Sequence, residues 1–285
     1  MKEIVVISGK GGTGKTSMVA AFAALAEQKV LADCDVDAAD LHLVLKPTIS
    51  EKKEFWSGKS AVIDQEACIG CDQCREVCRF DAISEDYVVN KIACEGCGAC
   101  AHFCPVKAIA MKENLSGHWF ISDTRYGPMV HARLGIAEEN SGKLVTLVRN
   151  KAKNLAEDRG LDLLIVDGSP GIGCPVIASI TGCDLVLVVT EPTRSGMHDL
   201  ERIAELTRHF GIATAVCINK ADINPELAAE IEERCRRENL GLVGKIPYDT
   251  DVTRAQVAGL SIIEFSEGAV SQEIRRMWGR LQSQL

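Results

Sequence analysis

The sequence lacks long hydrophobic runs: no stretch of the 285-residue chain approaches 18 uninterrupted apolar residues. A helix needs about 20 such residues to cross a bilayer, so no membrane span is predicted. Long basic runs are absent too, and 32 basic residues stand against 40 acidic ones. Because a nucleic-acid surface depends on clustered positive charge, this balance argues against nucleic acid as a general partner.

An export signal is also missing. The apolar run Ile4–Ile7 is too short for a signal-peptide core, and no small-residue cleavage site follows it. We therefore expect a cytoplasmic protein in a reducing compartment, where disulfide frameworks are rare. In that setting clustered cysteines are expected to be thiolate ligands.

Cysteine is what the sequence has in excess, and it is concentrated in one segment. Eight of the 13 cysteines lie between Cys68 and Cys104. They form two runs that share the spacing C-x2-C-x2-C-x3-C. Adding 26 to a position in the first run gives the same residue type in the second, which indicates an internal duplication. The matched positions are Cys68, Cys71, Cys74, Cys78, Ala82 and Ile83 with Cys94, Cys97, Cys100, Cys104, Ala108 and Ile109.

Each run has the spacing of a bacterial ferredoxin, in which three cysteines bind one four-iron cluster and the fourth binds the other cluster. The spacing predicts two [4Fe–4S] clusters. Their ligands would be Cys68, Cys71, Cys74 and Cys104 for the first, and Cys94, Cys97, Cys100 and Cys78 for the second. A zinc knuckle is the alternative, since C-x2-C pairs also suit zinc. Eight thiols in a repeated pattern exceed what zinc needs.

Outside this segment, short aliphatic runs alternate with amphipathic stretches, which predicts a doubly wound, mostly parallel α/β sheet. The predicted strands are residues 4–7, 30–32, 163–166, 185–189 and 215–218. The alternation stops at the cysteine-rich segment. We therefore predict one α/β domain, residues 1–58 plus 113–285, interrupted by a small inserted α+β ferredoxin-like domain, residues 59–112. Residues 117–130 are expected to form a hairpin or a covering loop.

The first predicted strand leads into a phosphate-binding motif, G-x-x-x-x-G-K-T, at residues 9–16. Backbone N–H groups of such a loop converge on phosphate oxygens, and the helix that follows adds its positive end. The motif predicts that Lys15 reaches the outer phosphates and that the Thr16 hydroxyl binds Mg²⁺. The predicted nucleotide-binding residues of the loop are Gly11, Gly12, Thr13, Gly14, Lys15, Thr16 and Ser17.

A second lysine, Lys10, makes the loop similar to that of the deviant Walker A ATPases, the MinD, ParA and Mrp group that includes the nitrogenase iron protein. The resemblance implies that Lys10 reaches the nucleotide of a partner subunit in a homodimer, and that Asp35 positions the attacking water. It also implies that Asp167 holds Mg²⁺ through water. Asn219 would contact adenine; the segment around Pro247 resembles the family's other base-side segment, with a plain strand-end turn as the alternative.

Together the two resemblances describe a MinD-superfamily ATPase with an inserted two-cluster ferredoxin. They imply a Mg²⁺-dependent ATPase that binds ATP and ADP and whose nucleotide state gates electron transfer to a redox partner. One alternative is an ATP-dependent carrier for metallocofactor assembly, whose partner is an apo-metalloprotein. The other is a MinD-like positioning ATPase with redox sensing. That function would use an apolar C-terminal stripe, Val270 to Leu285, on a membrane, whereas such a stripe is usually core packing.

Five cysteines remain outside the two runs. Cys34, Cys183 and Cys217 lie in or beside predicted strands and are expected to be small buried apolar residues. Cys174 follows the candidate switch II in a place similar to that of a ligand cysteine of the nitrogenase iron protein. Since eight ligands are already present, we expect Cys174 to be inert.

Overall fold

The computed structural model describes residues 1–135 and 141–285. Within these residues nine strands form one sheet, and eleven helices accompany it. The strands are β1 (Lys2–Ser8), β2 (Lys29–Asp33), β3 (Thr48–Ile63), β4 (Ile109–Thr124), β5 (Gly127–Leu134), β6 (Leu163–Pro170), β7 (Leu185–Thr190), β8 (Ala213–Asn219) and β9 (Gly241–Ile246). The helices are α1 (Lys15–Leu25), α2 (Leu41–Leu45), α3 (Gln73–Glu76), α4 (Ala99–Phe103), α5 (Ser141–Arg159), α6 (Cys174–Ile180), α7 (Arg194–His209), α8 (Pro225–Arg237), α9 (Thr250–Ala258), α10 (Ile262–Phe265) and α11 (Ala269–Gln282).

The sheet is mostly parallel. Its strand order is β3-β4-β5-β2-β6-β1-β7-β8-β9. All pairings from β5 to β9 are parallel. The five strands predicted from aliphatic runs are β1, β2, β6, β7 and β8, so those predictions are confirmed.

Both faces of the central strands are buried. Ile4 and Val6 of β1 pack in one core cluster with α1 and α11. Their neighbours Val5 and Ile7 are equally inaccessible to water and, because side chains alternate along a strand, face the opposite side of the sheet. Helices therefore cover both faces, as expected of a doubly wound α/β fold.

The chain divides into two compact units. Unit 1 contains Met1–Lys52, Trp119–Arg133 and Ser141–Leu285; unit 2 contains Lys53–His118 and a short stretch that begins at Leu134. The predicted domain boundaries, 59 and 112, lie inside β3 and β4. Aliphatic periodicity did not reveal these two 16-residue strands; in β3, for example, ten of the 16 residues are exposed.

The segment at residues 117–130, predicted as a hairpin or a covering loop, is a hairpin. β4 and β5 are neighbours in the sheet and are joined by Arg125 and Tyr126 alone. The Arg125 guanidinium fixes this turn, since it donates to both carboxylate oxygens of Glu264 at 2.9 Å and to the Gly259 carbonyl at 3.2 Å.

The C-terminal apolar stripe belongs to the core. Five of its six residues, Val270, Ile274, Met277, Trp278 and Leu281, are buried, and Leu285 packs against them. The Trp278 ring stacks on Phe22 of α1, with centroids 5.0 Å apart. The stripe therefore belongs to the core packing of the last helix, which is the usual role of such a stripe. Among the described helices, none is long and apolar enough to cross a membrane.

Candidate functional site

The glycine-rich loop lies in unit 1, between β1 and α1. Gly12 and Gly14 have positive φ angles of 80° and 95°, which glycine adopts without steric cost. α1 begins at Lys15, directly after Gly14. The unpaired N–H groups of its first turn and the positive end of the helix are therefore presented at the loop. Such an arrangement is typical of phosphate-binding sites.

A cavity of about 690 Å³ opens beside the loop, a volume typical of small-molecule sites. Its walls include the predicted loop residues Gly12, Gly14, Lys15, Thr16 and Ser17, together with Asn219 and Pro247. Gly11 and Thr13 are not among the described residues that line the cavity. The structure thus brings the predicted phosphate-side and base-side residues to one cavity.

Asn219 supports the phosphate loop. Its Nδ2 donates to the Thr13 carbonyl at 2.8 Å, and its Oδ1 accepts from the Lys220 N–H at 3.0 Å. A Cβ at Gly14 would lie 2.6 Å from Nδ2, so a larger residue there would displace the Asn219 amide from the loop, besides being strained at a φ of 95°. Asn219 therefore ties the end of β8 to the loop, and its contact with adenine stays a prediction.

Buried carboxylates lie next to the loop. Asp167 of β6 is fully inaccessible, and in the described part of the chain neither of its oxygens has a partner with hydrogen-bond geometry. Burial raises the pKa of Asp167 to about 7, although Lys15 and the neighbouring Thr16 hydroxyl lower it. An unpartnered buried carboxylate beside a threonine hydroxyl offers the oxygen ligands that Mg²⁺ prefers, so the chemistry of Asp167 and Thr16 fits the predicted ion.

Asp35 lies beside the loop lysine. The Lys15 ammonium is 3.4 Å from Asp35 Oδ2, and both side chains are buried. Burial raises the pKa of Asp35, and the adjacent Lys15 opposes that shift. Asp33 holds the segment in place, because its carboxylate accepts from the N–H groups of Asp35 at 3.2 Å and Leu41 at 3.3 Å.

The signature lysine, Lys10, contacts its own chain. Its Nζ donates to Ser195 Oγ at 3.2 Å and lies 3.8 Å from Glu191 Oε2. The side chain is 41% exposed, so it is free to turn outward at little cost. Its role toward a partner subunit stays a prediction.

Sequence reasoning assigned no role to three residues near the loop, Glu191, Lys220 and Gln256. Glu191 follows β7 and pairs with Lys220 as well as with Lys10, while the Lys220 ammonium is 3.4 Å from the Gly12 carbonyl. Gln256 of α9 lines the cavity and donates to Ser17 Oγ at 2.8 Å. Only position could have suggested Glu191 and Lys220, since both stand where a parallel strand ends, at the edge that binds ligands.

Unit 2 contains two hollows lined by the eight clustered cysteines. The first hollow is lined by Cys68, Cys71, Cys74 and Cys104, and the second by Cys78, Cys94, Cys97 and Cys100. Each hollow thus takes three cysteines from one copy of the repeat and one from the other. The remaining walls are mainly apolar and include Ile63 and Ile109 in the first hollow and Ile83 and Met111 in the second.

The two cysteine loops share one backbone conformation. Gly70 and Gly96, 26 residues apart, have φ angles of 65° and 64°. Asp72 and Gly98, at the same spacing, have φ angles of 59° and 76°. α3 and α4 then begin one residue later in each copy. The 26-residue repeat read from the sequence is therefore present in the structure.

Among the described residues, no group of three or more His, Cys, Asp or Glu side chains converges closely enough to hold a single metal ion. A four-iron cluster requires a different ligand geometry from a single ion, because each thiolate binds a different iron and the four sulfurs do not meet at one point. Four thiols around an apolar hollow fit that donor set.

The other cysteines divide by exposure. Cys34, Cys183, Cys217 and Cys235 are buried, whereas Cys174, at the start of α6, is exposed. Burial raises the pKa of both the Cys183 and the Cys217 thiols to about 12. The buried thiols therefore stay neutral and serve as small apolar residues.

Fold and site together define a P-loop nucleotide-binding protein of the α/β class. Residues 4–262 match the family model described as the CobQ/CobB/MinD/ParA nucleotide-binding domain, and the chain belongs to that family. An uncharacterised protein of Methanocaldococcus jannaschii is 32% identical over 287 residues, which cover 98% of this chain and 96% of that protein. The carbon monoxide dehydrogenase accessory protein CooC of Rhodospirillum rubrum is 28% identical over 120 residues, 42% of this chain and 44% of its own.

Solved structures show the same fold. The cell division ATPase MinD of Pyrococcus furiosus superposes with a TM-score of 0.60 at 17% identity, covering 100% of this chain and 99% of that one. The septum site-determining protein MinD of Pyrococcus horikoshii, complexed with Mg-ADP, also gives 0.60 at 16% identity, with 98% and 95% covered. The predicted P-loop ATPase superfamily is confirmed.

Proposed function

We propose that this chain binds and hydrolyses MgATP, carries two [4Fe–4S] clusters, and uses the nucleotide state of a homodimer to gate electron transfer through the clusters. The observation that carries the proposal is the crossed arrangement of cysteines. Proteins of the two-cluster ferredoxin type need three thiols from one run and the fourth from the other. The two hollows of unit 2 are lined in that way.

The residues around the hollows suit clusters that carry single electrons. Apolar side chains such as Ile63, Ile83 and Ile109 line the hollows and exclude water from the thiolates, which controls both potential and stability. In the first hollow the Ala108 N–H donates to Cys104 Sγ at 3.3 Å. Such a bond stabilises negative charge on the sulfur.

Gating is supported by the order of elements along the chain. Asp40, Leu43 and Val44 line the nucleotide cavity, and they follow Asp35 within the same short segment. From there the chain continues through β3 to Cys68, the first predicted ligand. A nucleotide that shifts the segment at Asp35 therefore acts on the stretch of chain that leads into the cysteine loops.

Hydrolysis would use groups already in place. Lys15 sits at the start of α1 to neutralise the outer phosphates, and Thr16 and Asp167 would hold Mg²⁺. Asp35 would position the water, and its ion pair with Lys15 must then open, because the phosphates attract the same ammonium. Lys10 of a second subunit would add a further positive charge, which requires it to leave Ser195 and Glu191.

Anaerobic purification followed by iron and sulfide analysis tests the first part. We expect about eight iron and eight sulfide per chain, and Lys15→Ala should abolish ATP binding while leaving both counts unchanged. A chain with bound zinc and no sulfide would refute the cluster assignment.

Gating is tested by comparing the protein in MgADP with the protein in a non-hydrolysable ATP analogue and Mg²⁺. Cluster potentials, measured by dye-mediated EPR titration, and the rate of electron delivery to a small acceptor are expected to differ between the two states. Lys15→Ala is the control, and its cluster potentials and electron-delivery rate should be the same in both nucleotide states. Identical potentials and rates in the wild type would contradict gating.

A second candidate, metallocofactor assembly, is favoured by one observation. The partial match to the carbon monoxide dehydrogenase accessory protein covers 42% of this chain, and a relative with that name makes a carrier role for this ATPase a specific alternative. Assembly predicts that a cluster or metal leaves the protein with ATP turnover. Electron transfer predicts that both clusters survive many turnovers, so the iron content of the protein after turnover separates the two.

A further inference from the structure

The two cysteine loops of unit 2 have matching positive φ angles at equivalent positions but different side chains, and one of the differences adds side-chain hydrogen bonds to the first loop. In the first loop Asp72, Arg75 and Tyr87 form a polar group that we call the clasp. The Tyr87 hydroxyl donates to Asp72 Oδ1 at 3.2 Å, and Arg75 Nη1 donates to the same oxygen at 2.9 Å. The clasp thereby connects the residue between the second and third cysteines to a tyrosine 15 positions away.

The clasp also covers the loop. Tyr87 lines the first hollow together with Asp72, and a Cβ at Gly70 would lie 3.4 Å from its hydroxyl oxygen. Asp72 has a φ of 59°, a conformation that is costly for a residue with a side chain. Its two hydrogen bonds hold it there, and Arg75 itself lies 3.7 Å from Glu85.

Among the described residues, the second loop has nothing equivalent to the clasp. Gly98 and Ala101 stand 26 residues after Asp72 and Arg75 and are their equivalents in the second copy. Tyr87 precedes Cys94 and so belongs to the second copy itself; its equivalent in the first copy, 26 residues earlier, is Ala61. A Cβ added at Gly98 would meet no atom of the described residues within 4 Å, so the loop is open there. One support of the second loop is a backbone contact, since Gly96 packs against the Lys59 carbonyl.

Two further observations agree with a tighter first loop. Cys74 is buried, whereas its repeat equivalent Cys100 is half-buried. Gly98 also has more backbone freedom than Asp72, because glycine loses more conformational entropy when a loop is fixed. Iron leaves a thiolate site when the ligand loop opens, so a loop with two additional side-chain bonds and less freedom should open less often.

We propose that the clasp makes the two cluster sites unequal, so that the site formed by Cys94, Cys97, Cys100 and Cys78 loses iron first and the clasped site keeps its cluster. The inference rests on the proposed function, because it takes both hollows to hold clusters. Asp72, Arg75 and Tyr87 are positioning residues: they act on the loop that carries Cys71 and Cys74.

The test follows iron release from the full-length, anaerobically prepared protein in excess EDTA, by the loss of visible cluster absorbance. The wild type is expected to show two phases of equal amplitude whose rates differ by about fivefold or more, since each such bond shifts an opening equilibrium by about two- to tenfold. Tyr87→Phe removes only the hydroxyl and should speed the slow phase about two- to tenfold. Asp72→Gly, which copies the second loop, should bring the phases together, while Glu66→Gln, an exposed control, should change neither.

Alkylation identifies the site that opens. Protein quenched after the fast phase is treated with iodoacetamide and mapped by mass spectrometry. Cys94, Cys97, Cys100 and Cys78 should be modified, with Cys68, Cys71, Cys74 and Cys104 protected. Thermal unfolding of each variant verifies that unit 1 is unchanged.

A single phase in a wild type that holds eight irons would overturn the unequal sites and leave the proposed function standing. The same holds if the first-loop cysteines are alkylated first, or if Tyr87→Phe and Asp72→Gly both leave the slow phase unchanged. A protein that binds no iron and sulfide at all would instead overturn the proposed function.

Discussion

A buried ion pair links three elements of unit 1, and breaking it should be among the most damaging single changes in the protein. Glu3 of β1 and Arg149 of α5 are 3% and 5% exposed. Arg149 binds the Glu3 carboxylate through both Nε and Nη2, the second at 2.8 Å. Its Nη1 donates to the Thr181 carbonyl at 2.6 Å and the Ala178 carbonyl at 3.2 Å, at the end of α6.

Glu3→Gln removes the negative charge and leaves the Arg149 guanidinium buried against a neutral amide. An uncompensated buried charge of this kind costs about 3–5 kcal/mol, out of a total stability of about 5–15 kcal/mol. Lys153 also contacts Glu3, at 2.9 Å, but its side chain is 32% exposed, so it can turn to water and adds little.

Differential scanning calorimetry measures the effect. At about 2–4 °C per kcal/mol for a chain of this size, Glu3→Gln should lower Tm by roughly 6–20 °C. The control is Asp123→Asn, which breaks the surface pair with Arg159, also on α5, where both partners are about half exposed. Such a pair contributes about 0–1 kcal/mol, and Tm should fall by about 4 °C at most.

The double variant Glu3→Leu with Arg149→Met separates charge from packing. Removing both charges ends the desolvation cost, so the double variant should lose less than the sum of the two single variants. It should remain below wild type, because the Thr181 and Ala178 carbonyls lose their donor. A drop for Glu3→Gln no larger than for Asp123→Asn would refute the argument, as would additive losses in the double variant.

Three further outcomes are expected. Gly14→Ala should weaken nucleotide binding about tenfold or more in a fluorescent-nucleotide titration, since its Cβ would meet Asn219 Nδ2 at 2.6 Å and its φ of 95° is strained for alanine. The control Gly279→Ala, at an exposed position of α11 where a Cβ has open space in the described structure, should bind normally. Asp167→Asn in EDTA should raise Tm at pH 8 but not at pH 4. Burial raises the folded pKa of Asp167 to about 7, so the wild type loses stability as pH rises from about 4 to 7. A Tm difference between variant and wild type that is the same at both pH values would contradict this. Glu264 is partly buried, which alone would raise its pKa, but hydrogen bonds from Arg125 and Tyr126 lower the pKa to about 2. The contribution of Glu264 to the stability of the fold is therefore full above about pH 4.5 and is lost toward pH 2. Urea-unfolding profiles of wild type and Glu264→Gln should accordingly converge as pH falls.

The sequence predicted those parts of the fold that follow from local patterns. Strands such as β1 and β7 are buried on both faces and are therefore continuous aliphatic runs, which can be recognised in the sequence alone. The glycine loop was predicted for the same reason, since the φ angles of Gly12 and Gly14 demand glycine at fixed positions. Asn219 was expected at the ligand-binding edge because it follows a predicted strand, but the roles given to Asn219 and Pro247 came only from resemblance to a family.

Other features depend on contacts between distant parts of the chain. Glu191 meets Lys10 and Lys220 because three strand ends lie at one sheet edge, and no local signal marks a glutamate for that role. β3 was missed because residues 48–54 are exposed or half-buried on both faces of the strand, so no alternation of apolar and polar residues marks its first half. The clasp was missed because Tyr87 lies outside the cysteine run, and its partner Asp72 has the positive φ that a glycine has in the second copy.

The exchange of cysteines between the two copies of the repeat has an evolutionary consequence. Cys78 belongs to the first copy and lines the second hollow, while Cys104 belongs to the second copy and lines the first. A single 26-residue copy therefore supplies three of the four cysteines that line a hollow and needs a second copy for the fourth. Before the duplication, two separate chains would have had to lend each other a cysteine, and afterwards neither copy could be lost without disabling both hollows.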